Sequence, residues 1–232
     1  MPVQSVAPRT QRISDSAKVG GLCFAAAGLL YLAAETISAA AWHTPPYSYA
    51  RNYISDLGVA GCGILFHGRP ICSPLHGLMN IGFMLEGLLF FIANLIVSGQ
   101  TTRPWRFGIV MLGLLHGVGM LLVGYYHGSE AALEDGSLRY HLLGAQLAIV
   151  SGNVALIAYG CAHRQIGLSR RFASLSIVLG SVGLLSAVTL VSLLTTLPRG
   201  LLERGSVYSI MIWEIVTGSM MAWRNRSAKR RR

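Results

Sequence analysis

Three glutamates, Glu35, Glu86 and Glu214, sit inside long apolar runs of this chain. A charged side chain at the centre of a bilayer costs at least roughly 2.5 kcal/mol on insertion scales, so such groups face the interior of a helix bundle and commonly bind or move protons there. The histidines are unevenly placed as well. His43, His67, His76, His127 and His141 fall where one membrane surface would lie, His116 is midway along the third run, and only His163 is near the other surface. Imidazole changes charge near neutral pH and serves as acid, base or ligand. Entering at the ends of the second, third and fourth runs, His76, His127 and His141 are expected to converge with Asp56 on one polar pocket, with the glutamates beneath it. The candidate ligand-binding set is Ser55, Asp56, His76, Asn80, His127, His141, Glu35, Glu86 and Glu214, and the candidate catalytic residues are Asp56, His127 and His141. The competing reading makes each glutamate a protonated link between helices and each histidine a satisfied packing residue.

Helical spacing sorts these residues onto faces. At 100° per residue, His116 and His127, 11 positions apart, are about 20° apart in azimuth and are expected to share a stripe. His76, Asn80 and Asn94 lie within about 40° of one another, with Glu86 about 80° away on the other side of His76. His141 lines up with Gly144, Ala148 and Gly152, and Gly113 with Gly117 forms a GxxxG pair; both patterns let helices approach closely. Cys62 and Cys72 are spaced to close a loop by a disulfide, stabilising it by roughly 3 kcal/mol, with two free thiols as the alternative. Cys23 and Cys161 fall in or near apolar runs and read as small core residues. No HExxH, CxxC or zinc-type spacing is present, so no metal centre is expected. There is also no GxSxG elbow, P-loop or Rossmann glycine pattern.

Membrane helices must carry these residues. Of 232 residues, 53% are hydrophobic and 12% charged, and the mean hydropathy is +0.52. A soluble chain cannot hide that much apolar surface, which excludes a disordered chain, a secreted disulfide scaffold and most soluble enzymes. Six runs are long enough to span: 19–42, 75–98, 105–126, 141–162, 172–197 and 205–223. Lipid offers backbone groups no partners, so the spacing predicts an all-α, six-helix transmembrane bundle with short up-and-down connections. Fourteen of the nineteen Lys and Arg fall in the two tails or the connections on one side; the other five are Arg51, Arg69, Arg139, Arg199 and Arg204. Basic residues are retained in cytoplasmic loops, so both termini are expected in the cytoplasm and the protein in the cell membrane. The organisation is then a cytoplasmic tail at 1–18, a membrane domain at 19–223 with a long outer loop at 43–73, and a basic tail at 224–232. That tail reads as an orientation signal near anionic lipid, and with no reading surface or interleaved aromatics it implies no nucleic-acid partner. Ala39 to Ala41 resemble a cleavage site, but the preceding run is too long for a signal-peptide core, so the first span is read as a retained anchor.

The stretch Asn52-Tyr53-Ile54-Ser55-Asp56-Leu57-Gly58 follows the first span, and a helix opening Pro74-Leu75-His76-Gly77-Leu78-Met79-Asn80-Ile81-Gly82 comes next. With His141-Leu142-Leu143-Gly144-Ala145 and Ser151-Gly152-Asn153, this resembles the prokaryotic multi-pass family called domain of unknown function 998, over 19–223. More distantly, the box is similar to a eukaryotic group containing the GPI-anchor lipid-remodelling factor and the damage-regulated autophagy modulators. That group usually has threonine where this chain has Leu57. The second resemblance implies work at a lipid head group. Taken alone, Ser55 to Gly58 also reads as a turn, with Ser or Asp capping amides and Gly permitting positive φ.

Several functions are open on these residues. One is a membrane protein that binds a lipid head group or small polar ligand in an outward pocket. Another is a lipid hydrolase or acyltransferase using Asp56 and His141. A b-type cytochrome with His76 and His141 as axial ligands, or a proton-coupled transporter, completes the set. The bilayer is the partner all of them require, and the residues specify no cofactor and no oligomeric state.

Overall fold

The computed structural model describes residues 14–66, 69–192 and 196–223. The basic tail at 224–232, residues 1–13 of the N-terminal tail and His67 lie outside the described residues. Six long helices dominate: α1 (Asp15–Ala40), α2 (His76–Val97), α3 (Arg103–Tyr125), α5 (Leu138–Cys161), α6 (Arg170–Val191) and α7 (Arg199–Trp223), with a short α4 (Glu130–Glu134) in the connection before α5. Local chemistry sets their starts. The Ser14 hydroxyl accepts the Ala17 amide at 3.2 Å, Ser129 the Ala132 amide at 3.0 Å and Ser169 the Phe172 amide at 3.2 Å, each satisfying a donor of a first turn. Pro104 stands in the first turn of α3, where its missing N–H costs nothing.

Each long helix packs on its neighbour in sequence, and α7 closes the arrangement by packing on α1. The result is a ring of six helices, with α5 also touching α7 across the interior. Aromatic side chains fill the middle. Phe24 lies edge-on to Phe90 at 5.5 Å and to Trp213 at 5.1 Å, and Tyr159 packs on Trp213 at 5.0 Å. The outside is apolar as well, with Leu22, Leu29, Leu85, Leu121, Val178 and Leu185 all exposed. Apolar side chains on both faces of a helix mark a membrane bundle.

Five of the helices, α1, α2, α3, α5 and α6, are long and apolar enough to cross a membrane. The sixth expected span coincides with α7, which is long enough but less apolar, because Arg204, Ser206, Ser209, Glu214 and Thr217 are turned into the ring. Helix limits differ from the expected runs by a few residues, most at α6, which stops at Val191 where Ser192 is extended. The chain after α3 also differs from expectation: α3 ends at Tyr125, so His127 lies in the connection to α4 and is not on a helical stripe with His116.

The loop after α1 is folded. A 3-10 turn covers Ser55–Gly58, and β1 (Cys62–Phe66) pairs antiparallel with β2 (Arg69–Cys72). Cys62 and Cys72 are cross-strand partners joined by a disulfide.

The stripe of small residues on α5 meets α3 at backbone contact. A Cβ on Gly119 would stand 2.6 Å from the Gly144 carbonyl oxygen, and one on Gly144 would stand 2.6 Å from that of Gly119. Nothing lies within 4 Å of a Cβ built on Gly108 of the same helix. Gly119→Leu should therefore destabilise the bundle by at least about 1–3 kcal/mol, while Gly108→Leu leaves it unchanged. Thermal melting in detergent checks this; equal melting of the two variants would refute the close crossing.

Candidate functional site

Three polar clusters line the ring and its loop end. The first is built on the 3-10 turn. Asp56 is buried, and its carboxylate accepts from the Arg69 guanidinium at 2.6 Å, the Tyr53 amide at 2.9 Å and Asn52 Nδ2 at 3.5 Å. Arg69 also lies over the Tyr53 ring at 4.6 Å. The rest of the box ties the loop to α2: Asn80 Nδ2 donates to the Gly58 carbonyl at 2.9 Å, and the Ser73 hydroxyl donates to that of Leu57 at 2.6 Å. Gly58 is required for space, since a Cβ there would be 2.3 Å from Asn80 Oδ1. It does not have the positive φ that the sequence suggested; that conformation belongs to Gly61 and Gly63 in the hairpin and to Gly136 and Gly167 elsewhere. Ser55 opens the turn and is half-buried.

The histidines gather beside this turn. His76, at the start of α2, stacks on His127 at 6.3 Å between ring centres, and both are half-buried. His141 is 7% exposed, its Nδ1 donates to the Val123 carbonyl at 3.1 Å, and it lies within electrostatic reach of His127 and Asp56. Asp56 and His141 make no hydrogen bond to each other: the carboxylate is taken by Arg69, Tyr53 and Asn52, and the imidazole Nδ1 by the α3 backbone. The joint use of Asp56 and His141 that the hydrolase or acyltransferase reading requires therefore has no direct contact behind it.

The second cluster surrounds Arg204, near the start of α7. Its guanidinium donates to the Glu35 carboxylate at 2.9 Å, to the carbonyls of Tyr49 at 2.6 Å and Asn52 at 2.9 Å, and to the Tyr47 hydroxyl. The Tyr208 hydroxyl donates to the same carboxylate at 3.0 Å. Burial pushes the Tyr47 hydroxyl well above its usual titration range, so it stays protonated and donates to the Tyr53 carbonyl at 2.9 Å while accepting from Arg204. One residue earlier, Glu203 accepts the Ile54 amide. Two side chains of α7 therefore hold the loop that carries Asp56.

Deeper in the ring is the third cluster. His116 Nε2 faces both oxygens of Glu86, at 2.9 and 3.1 Å, and its Nδ1 donates to the Ala148 carbonyl at 2.8 Å. Glu214 lies within electrostatic reach of Glu86, and neither of its oxygens has a hydrogen-bond partner among the described residues. All three side chains are fully buried.

The single hollow expected from the sequence thus divides. Glu35 belongs with Arg204 at the loop end, and Glu86 and Glu214 belong with His116 inside. Tyr31 of α1 lies within electrostatic reach of both Glu35 and Glu86. Sequence reasoning did not pair Arg69, His116 or Arg204 with these acids. Depth was a usable signal for one of them: Glu86 is about 15 Å from the first residue of α2 and His116 about 14 Å from the last of α3, at 1.5 Å per residue. Against the inside bias of the other basic residues, Arg69 and Arg204 were also anomalous. Among the described residues, no group of three or more His, Cys, Asp or Glu is placed to hold a metal ion.

A ring of apolar helices with its ionisable groups turned inward or kept to its two ends defines a helical multi-pass membrane protein. Residues 16–220 match the family described as Protein of unknown function (DUF998), and the chain belongs to that family. No curated protein and no solved structure matches it, and the more distant resemblance gains no support from these comparisons.

Because Arg204 and Glu35 are both nearly excluded from solvent, removing one leaves the other uncompensated. Arg204→Met should cost about 3–5 kcal/mol and open the loop at 41–75 to protease, and Arg204→Lys should not restore it, since one ammonium cannot span the guanidinium's acceptors. Melting and limited proteolysis provide the check; wild-type loop resistance in Arg204→Met would show that the loop is held elsewhere.

Proposed function

We propose that this protein binds an anionic, phosphate-bearing head group at the loop end of its helix ring, in a site formed by Arg69, His76, His127 and His141 around Asp56. In this reading α7 is the sixth crossing, both termini are cytoplasmic, and the site faces outward at the membrane surface. The basic residues of the tails and of the connections on the opposite side support that orientation.

The observation that carries the reading is the state of Arg69. Its terminal nitrogen is engaged by Asp56, yet its Nε is buried with no hydrogen-bond partner among the described residues, and the side chain is 29% exposed. A guanidinium with a donor to spare suits a phosphate oxygen, which accepts in the same plane. Asp56 fixes the guanidinium, and Asp56 in turn is within reach of His141, so the basic groups form one neighbourhood. The half-buried rings of His76 and His127 supply further donors at its edge. An apolar tail attached to the ligand would lie along the exposed leucines of the helices below, which favours a lipid over a free anion.

The hydrolase or acyltransferase reading needs His141 activated by Asp56, and the hydrogen bonds of both groups go elsewhere. Haem ligation by His76 and His141 has no comparable support, because the His76 ring is stacked on His127.

The test is binding of the full chain in nanodiscs of zwitterionic lipid, titrated with short-chain phosphatidylglycerol in one arm and inorganic phosphate in the other. Saturable binding of the phospholipid, weakened at least about tenfold by Arg69→Gln (the loss of one charge-assisted contact, about 1.5 kcal/mol) and by His127→Ala, is expected. Binding of phosphate alone would assign a free-anion site. Equal affinity of the Arg69→Gln variant would overturn the proposal.

A further inference from the structure

We propose that Glu86, His116 and Glu214 form a proton-exchange centre inside the helix ring, with Glu214 as the group that takes up and releases the proton. The centre is separate from the loop-end site and does not rest on that reading.

Geometry fixes the hydrogens of two members. The Ala148 carbonyl can only accept, so His116 Nδ1 carries a hydrogen. Nε2 points at both Glu86 oxygens, so one proton lies in that contact whichever partner holds it. The pair is then neutral overall, and Glu214 is left to decide the charge of the trio. With a proton, the buried cluster carries no net charge; without one, it carries a negative charge in the buried interior, within electrostatic reach of Glu86. Loss of the proton breaks the Glu214 O–H bond and leaves the electron pair on the carboxylate, and the proton passes to water at the membrane surface.

The alternative of permanent glue is opposed by the lack of any bond for Glu214 to make. A carboxylic acid that holds two helices together donates to a neighbouring carbonyl. Neither Glu214 oxygen is engaged among the described residues, and two other buried groups are also unpartnered there, the hydroxyls of Thr217 and Tyr159. Thr217 follows Glu214 by one helical turn, and Tyr159 packs on the adjacent Trp213. Hydroxyls both donate and accept, so these two are suited to pass a proton along. Other buried polar groups of the surrounding helices have partners of their own. Tyr31 of α1 is within electrostatic reach of Glu86, Ser176 of α6 accepts from Trp213 Nε1 at 2.8 Å, and Glu35 of α1 is neutralised by Arg204.

Infrared difference spectroscopy of the full chain in nanodiscs, in light and then heavy water, tests the proposal. The wild type should show a protonated-carboxyl C=O band at neutral pH that shifts in heavy water while the fold is retained, and that titrates with bulk pH. Glu214→Gln should lose the band; Glu214→Asp should move it, and carries the same assignment if Glu214→Gln does not fold. A band unaffected by either substitution, one that neither exchanges nor titrates in the folded protein, or no such band at all would overturn the proposal.

Discussion

An ionisable side chain surrounded by apolar helices must find a counter-charge, a proton or a hydrogen-bond partner, and this one requirement accounts for most of the polar architecture described above. Glu35 is answered by Arg204, Asp56 by Arg69 and Glu86 by His116. Each of these partners comes from a different element than the acid it serves. The pairs therefore act as long-range ties: α1 to α7, the 3-10 turn to the hairpin, α2 to α3. Close glycine crossings such as Gly119 on Gly144 fix how the helices seat on one another, and the buried charges add a preference for the register that neutralises them.

The Ser-Asp-Leu-Gly box illustrates how a structural and a functional reading share the same atoms. Leu57 and Gly58 contribute carbonyls that α2 and its approach segment capture through Asn80 and Ser73, and Asp56 caps its own turn by accepting the Tyr53 amide. These contacts are sufficient to explain a turn. They do not explain why the same carboxylate also fixes an arginine at the edge of a histidine cluster, and it is on that second contact that the proposed function rests.

The helix content, the apolar crossings and the depth of the acids were legible from run length and periodicity alone, because those properties are local. Partner choice was not. Pairing Glu35 with Arg204 joins residues 169 positions apart, and it depends on α7 closing back on α1, which no pattern within either helix encodes. His127 was misplaced for a simpler reason: the apolar run continues to 126, so its periodicity was extended past the point where the helix ends at Tyr125. The role of Gly58 was misread because glycine in a turn suggests backbone freedom, whereas here it makes room for an asparagine that arrives from α2.

The first and last long helices are neighbours in the ring, and this has a consequence for biogenesis. Until α7 emerges from the ribosome, α1 has one flank without its final neighbour, and Glu35 has neither Arg204 nor Tyr208. The nascent protein is therefore a split ring with its seam facing lipid or a chaperone, and synthesis of the last helix seals the seam and neutralises its acid in one event. A chain cut short before that helix would keep the seam open and leave Glu35 without its counter-charge.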